Sequence, residues 1–240
     1  MNLLTYIMHL AGTGAATYYI STQIRDSKTR PNVLAGLQLS EASSVPFLSL
    51  LSERAAKEGN TWLAEKLAKH ALDETKHSRI FAHALKQMNK QAVEDQPHLE
   101  AESTSKQKPS PFFLAYFDGY TLEELKPTVI NWDVFLGSTY ILELDSSKDY
   151  KTMAKVLPEN ELSTRNLKKG LLSIAEDEAS HAAYLYEGMM QRMSINQVQK
   201  LVDDWRIRKV NSIFRMATSV FQNDNNARSI SQDIEIIKNT

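Results

Sequence analysis

Four stretches of this chain place inward-facing residues at alternating spacings of four and three, and in each stretch one such position is a glutamate. That alternation is the seam of a helix packed against other helices, so it dictates rods laid side by side. The clearest case is WLAEKLAKHALDETKHSRIFAHALKQM, whose seam from Leu63 runs Leu67, His70, Glu74, His77, Phe81, Ala84, Met88. A second seam runs Leu34, Leu37, Glu41, Ser44, Leu48, Leu51, Ala55. A third runs Val129, Trp132, Leu136, Thr139, Glu143, Ser146, Tyr150, Met153, and a fourth Leu167, Leu171, Ile174, Glu178, His181, Leu185, Gly188. Residues three apart share a helix face, so Glu74 with His77, and Glu178 with His181, aim at one spot each.

Helix punctuation divides the chain in the same way. Pro31 opens a helix over 31–58, and Glu58-Gly59-Asn60 stops it, with Asn60 or Thr61 capping the next, 61–91. The polar stretch 92–110 carries two prolines and reads as a long crossover. PFFLAYFDGY at 111–120 is aromatic and ends in a turn, and Thr121 with Glu124 forms a capping box for a short helix or turn. Core helices follow over about 128–157 and 161–192, with a stop at Pro158. Ser194 and Gln197 cap a further helix to about 220, and 221–240 is a polar tail. The expected architecture is all-α, one domain over 1–220, with extra N- and C-terminal helices. Glu41 lies about 17 residues before the 59–60 turn and Glu74 about 15 after it. Glu143 and Glu178 stand equally far from the second turn, roughly 22–26 Å along each rod. The two pseudo-equivalent halves, 31–91 and 128–192, therefore lift their acids to one level.

Composition narrows the chemistry. The net charge of −1 gives no basic field for nucleic acid, and the small clusters Lys168-Lys169 and Arg206 with Arg208-Lys209 read as solvated faces. Without cysteine there are no disulfides, zinc ribbons, cysteine-held iron or thiol catalysis. Residues 1–20 lack charge apart from His9, yet no Lys or Arg precedes the apolar stretch as in a signal peptide. Asn2, Thr5, His9, Thr13 and Thr17 interrupt it as a membrane span. The expectation is a cytoplasmic protein with no membrane partner.

Four glutamates and two histidines cannot meet in an apolar interior without compensation, because unpaired buried charges cost many kcal/mol. Two metal ions supply it, and carboxylate oxygens with one imidazole per ion suit iron or manganese. Exposed salt bridging accounts for one Glu-x-x-His pair, not for seam acids matched in depth on four helices. His70, one turn before Glu74, reads either as a hydrogen-bonded core histidine or as an added ligand or proton donor. Tyr140 and Tyr184 flank ligand positions and read either as packing or as proton and electron relays.

The order E…E-x-x-H…E…E-x-x-H over 31–192 resembles the ferritin-like di-iron carboxylate superfamily. Asp73-Glu74-Thr75-Lys76-His77 and Asp177-Glu178-Ala179-Ser180-His181 resemble the D-E-x-x-H form of the bacterial di-iron oxygenases. The resemblance implies a ferritin-like four-helix bundle with a long crossover. Its metal ligands would be Glu41, Glu74, His77, Glu143, Glu178 and His181, holding two Fe ions, with Mn or mixed Mn/Fe as alternatives. Each Glu-x-x-His pair would serve one half of the site. Asp73 and Asp177 would accept from the ligand imidazoles crosswise, Asp73 from His181 and Asp177 from His77. The implied activity is an O2-activating oxidase or hydroxylase of an organic substrate, with an external electron donor. Segments 1–24 and 111–120 would wall its channel. A rubrerythrin- or ferritin-like peroxide reductase or ferroxidase, a tRNA-hydroxylase-like enzyme and a metal-stabilised helical scaffold are the alternatives. A dimer is open as the assembly.

Overall fold

The computed structural model describes residues 3–88 and 110–222, and every described regular element is helical. The sequence-based expectations for 92–109 and 223–240 lie outside these residues. The helices are α1 (Leu3–Arg25), α2 (Arg30–Lys57), α3 (Thr61–Gln87), α4 (Pro111–Tyr116), α5 (Trp132–Val156), α6 (Leu162–Arg192) and α7 (Ile195–Gln222). A single 3-10 turn, Glu123–Leu125, lies between α4 and α5. The expected caps form: Asn60 Oδ1 accepts from Leu63 N at 3.0 Å, and Gly59 takes the φ of +80° that the tight turn needs. Thr121 and Glu124 exchange the hydrogen bonds of a capping box.

Helices α2 and α3 form one hairpin and α5 and α6 a second, and α3 packs against α6 to join them. At the turn end, Arg54 ties the hairpins by donating to Ile130 O at 2.7 Å and lying over Trp132. Two apolar clusters stack along the rods. One holds Leu48, Leu67, Leu136 and Leu185; the other holds Leu34, Phe81, Met153 and Leu171. The seam acids lie between them.

One sequence-based boundary shifts, and one buried face is added. Helix α5 starts at Trp132 rather than near 128, because Asn131 caps it by accepting from Asp133 N, which leaves Val129 in an exposed turn. Buried residues also cover two sides of α5, because α1 and α7 pack on its back. There Asp145 is buried, accepting from Lys209 at 2.8 Å and Lys148 at 3.1 Å, with His9 Nε2 at 3.6 Å. Lys209 is thus no solvated charge, and Arg208 donates to the carbonyls of Tyr116 and Asp118. Arg208 and Lys209 tie α7 to the α4 region and to α5, while Arg206 reaches Asp203 on its own helix. Among the described residues, the one helix long and apolar enough to cross a membrane is α2, not the N-terminal stretch. Its Leu34, Glu41, Leu48 and Leu51 are buried against the other helices.

Candidate metal centre

Each of the four helices brings its seam glutamate to the polar layer between the apolar clusters. Glu41, Glu74 and Glu178 are buried, and the Glu143 side chain is 14 % exposed. Two ligand groups form: Glu41, Glu74, His77 and Glu178, and His70, Glu74, Glu143 and His181. His77 Nδ1 stands 3.6 Å from Glu41, 3.8 Å from Glu74 and 3.4 Å from Glu178. His181 Nδ1 stands 3.7 Å from Glu74, 3.7 Å from Glu143 and 3.9 Å from Glu178. Glu74 and Glu178 therefore reach both histidines. The halves are shared across the hairpins, rather than one Glu-x-x-His pair serving each.

The far edge of each imidazole explains why Nδ1 points inward. His77 Nε2 meets Asp177 Oδ2 at 3.2 Å, and His181 Nε2 meets Asp73 Oδ2 at 3.2 Å, the crosswise pairing that the resemblance implies. Lys76 holds Asp177 at 2.7 Å and Lys69 holds Asp73 at 2.5 Å. Burial pushes both aspartates up, but the lysine and histidine contacts outweigh it and hold them below the usual carboxylate range. An ionised carboxylate only accepts, so Nε2 keeps its proton, and it is Nδ1, a lone pair once its own proton is lost, that faces the glutamates. Both Nδ1 atoms are buried without a hydrogen-bond partner. Their 3.4–3.9 Å separations from carboxylate oxygens exceed hydrogen-bond length. They suit ligands that share an ion, since two atoms each about 2.1 Å from one centre lie roughly 3–4 Å apart. The donor set fits a metal.

His70 belongs to the cluster. Its Nε2 is 3.0 Å from Glu74 and 3.6 Å from Glu143, its Nδ1 is 2.8 Å from Tyr184 Oη, and its ring stacks on His181 at 3.6 Å. Tyr184 thus touches the site through His70. Tyr140 instead packs half-buried on Tyr186. The tyrosine on the acids is Tyr150, whose hydroxyl donates a short hydrogen bond to Glu41. Its signal in the sequence is its seam position two turns beyond Glu143.

The electrostatics describe the cluster balanced by protons alone. Burial and the neighbouring Glu74 push Glu41 up to about 8, and burial with Glu143 pushes Glu178 well above the carboxylate range. Burial alone would lower His77, but Glu41 and Glu74 raise it to about 10, and His181 is raised likewise by Glu143. Burial pushes Glu143 up as well, yet hydrogen bonding from Glu178 and the charge of His70 bring it down to about 2. Burial drops His70 to about 3, so it is neutral.

Beside the layer lies an apolar cavity of about 60 Å³, walled by Phe47, Phe113, Phe117, Phe135 and Thr139 among others. Thr139 is one turn from Glu143, roughly 6 Å along α5. Compared with models of protein families, with curated proteins and with solved structures, the chain gives no match.

Proposed function

We propose that this chain is a ferritin-like dinuclear metal oxidoreductase, holding two iron or manganese ions and consuming O2 or peroxide with electrons from an external donor. The observation that carries the reading is the pair of buried, unpartnered Nδ1 atoms aimed from two hairpins at carboxylates they share. Glu41 with His77 would hold one ion, Glu143 with His181 and His70 the other, and Glu74 and Glu178 would lie between. Bound metal would supply electron transfer to the oxidant. The chain's own residues do the rest. Asp177 and Asp73 fix the imidazole tautomers, and the two apolar clusters keep water out. Tyr150 delivers a proton to Glu41 Oε1 or withdraws one. For His70 to ligate through Nε2, its proton must move to Nδ1, and Tyr184 must turn from donor to acceptor.

The cavities bear on substrate size. The one of about 60 Å³ accepts O2 or peroxide, while a second of about 360 Å³, lined by Lys76, Ile80, His83, Leu167 and Gly170 among others, exceeds the ~300 Å³ at which pockets for larger organic molecules start. Lys76 also holds Asp177, so the reading includes both peroxide or ferroxidase chemistry and oxidation of an organic substrate. Segment 111–120 does wall the smaller cavity, through Phe113 and Phe117. The test is anaerobic loading with Fe(II), metal analysis, and stopped-flow mixing with O2 or H2O2. About two ions per chain, with oxidation faster by peroxide or O2 than in His77→Ala, is expected. Fewer than one ion per chain removes the proposal. Turnover that requires an added apolar substrate moves the choice to an oxygenase.

A further inference from the structure

Helix α1 is built inside out. Up to its C-terminal end, where Ile20 and Ile24 join the core, its docked stripe is His9, Gly12, Thr13, Ala16, Thr17 and Ser21, small or polar residues that meet Asp145, Asp149 and Ile213 on α5 and α7. Its outer face carries the large apolar side chains: Leu3, Tyr6, Ile7, Leu10, Tyr18 and Tyr19 are each 45–74 % exposed. No Lys, Arg, Asp or Glu occurs between Leu3 and Ile24. A surface helix normally reverses this arrangement, and a patch of this extent marks an interaction surface.

We propose that this face is the two-fold contact between two copies of the chain, with α1 crossing its symmetry mate antiparallel near Ala11 and Gly14. Three observations select a second copy as the occupant. The face is self-complementary about that point. Small residues, Ala11, Gly14 and Ala15, form its exposed middle, and a Cβ at Gly14 would meet nothing. Large residues stand equally far on either side, so Tyr6 and Ile7 of one copy oppose Tyr19 and Tyr18 of the other, as an isologous contact requires. The area is sufficient, because the outer side chains, with Met8 and Phe214 beside them, offer on the order of 800 Å², one partner's share of a standard interface. Finally, a helix whose Leu3–Ile24 stretch carries no Lys, Arg, Asp or Glu meets no like-charge repulsion when that stretch is paired with itself. A lipid surface would call for Lys or Arg along the edges of the apolar face, and between Leu3 and Ile24 there is none; Arg25 and Lys28 stand only at its C-terminal end.

Light scattering and sedimentation on the full chain test this. The expected mass is twice 27.2 kDa, falling to one chain in Ile7→Glu/Tyr18→Glu, with helical circular dichroism and metal content unchanged. Because the chain has no cysteine, a nitroxide on Ala11→Cys reports its own mate. Dipolar broadening is expected there and not from Glu65→Cys, which is exposed on α3. A monomeric full chain overturns the proposal, whether neutral phosphatidylcholine vesicles then float it or deletion of 223–240 then makes it dimerise. A dimer that survives the double variant without broadening at position 11 overturns it equally.

Discussion

At the scale of single residues, each inward donor atom of the cluster has only one thing left to do. Asp177 and Asp73 accept from the Nε2 protons, so His77 and His181 turn Nδ1 to the acids, where a metal that displaces the Nδ1 proton would find a lone pair. Glu41 and Glu143 each approach one of these histidines, whereas Glu74 and Glu178 approach both. Glu41→Ala should therefore lower metal content by about one ion per chain, and Glu178→Ala should abolish binding of both; metal analysis of the two proteins checks the difference. Asp177→Asn keeps the shape but lets the imidazole proton move to Nδ1, and isothermal titration should show about 10–100-fold weaker metal binding. That Glu41, Glu74, His77, Glu143, Glu178 and His181 come together was legible because acids and histidines on an apolar seam have no cheaper explanation than each other's company. His70 sat on the same seam, but its spacing gave no way to separate ligand from core histidine. Tyr140 and Tyr150 show the limit more sharply. Which tyrosine turns inward depends on the rotation of α5, and α5 is covered on two sides.

At the scale of elements, α6 follows its seam completely, and every seam residue from Leu167 to Gly188 is buried. Helix α5 does not, because the heptad argument assumes one buried stripe and α1 and α7 add another. The signal for that second stripe is divided among three distant segments, so no window of the sequence contains it. One close approach holds it together. A Cβ on Gly137 would come within 2.6 Å of Trp205 Cδ1 and 2.7 Å of its Nε1, and Trp205 is wedged among Tyr116, Phe117 and Tyr120. Gly137→Ala gains about 1 kcal/mol of helix propensity but overpacks a ring that cannot retreat, at a cost of about 1–3 kcal/mol. Thermal unfolding should show a net loss, and replacing Trp205 with Leu in the same protein should reverse its sign.

For the whole molecule, the proton balance of the polar layer ties folding to both pH and metal. His77 is raised from 6.5 to about 10 and Glu41 from 4.5 to about 8, so each binds its proton more tightly folded than unfolded. Stability from such groups is complete below their unfolded values and is lost as pH climbs through the folded ones. Glu143 and His70 act oppositely: their contribution is complete above 4.5 and 6.5 and fades as pH falls toward about 2 and 3. Between pH 6.5 and 8 the latter pair is constant, while the folded chain holds protons that the unfolded chain has released, on His77 and Glu41 and, raised in the same direction, on His181 and Glu178. The metal-free protein should therefore lose stability across that window, by at least about 2 kcal/mol per pH unit. Metal reverses the slope. Its ligands must shed those protons, so affinity rises with pH, and saturating metal adds stability in proportion to the logarithm of its concentration over its dissociation constant. Denaturant titrations at several pH values, with chelator or with Fe(II) under nitrogen, should give curves that diverge as pH increases. Parallel curves would mean that the metal does not displace protons from this layer, and the buried acids would then need another explanation for their company.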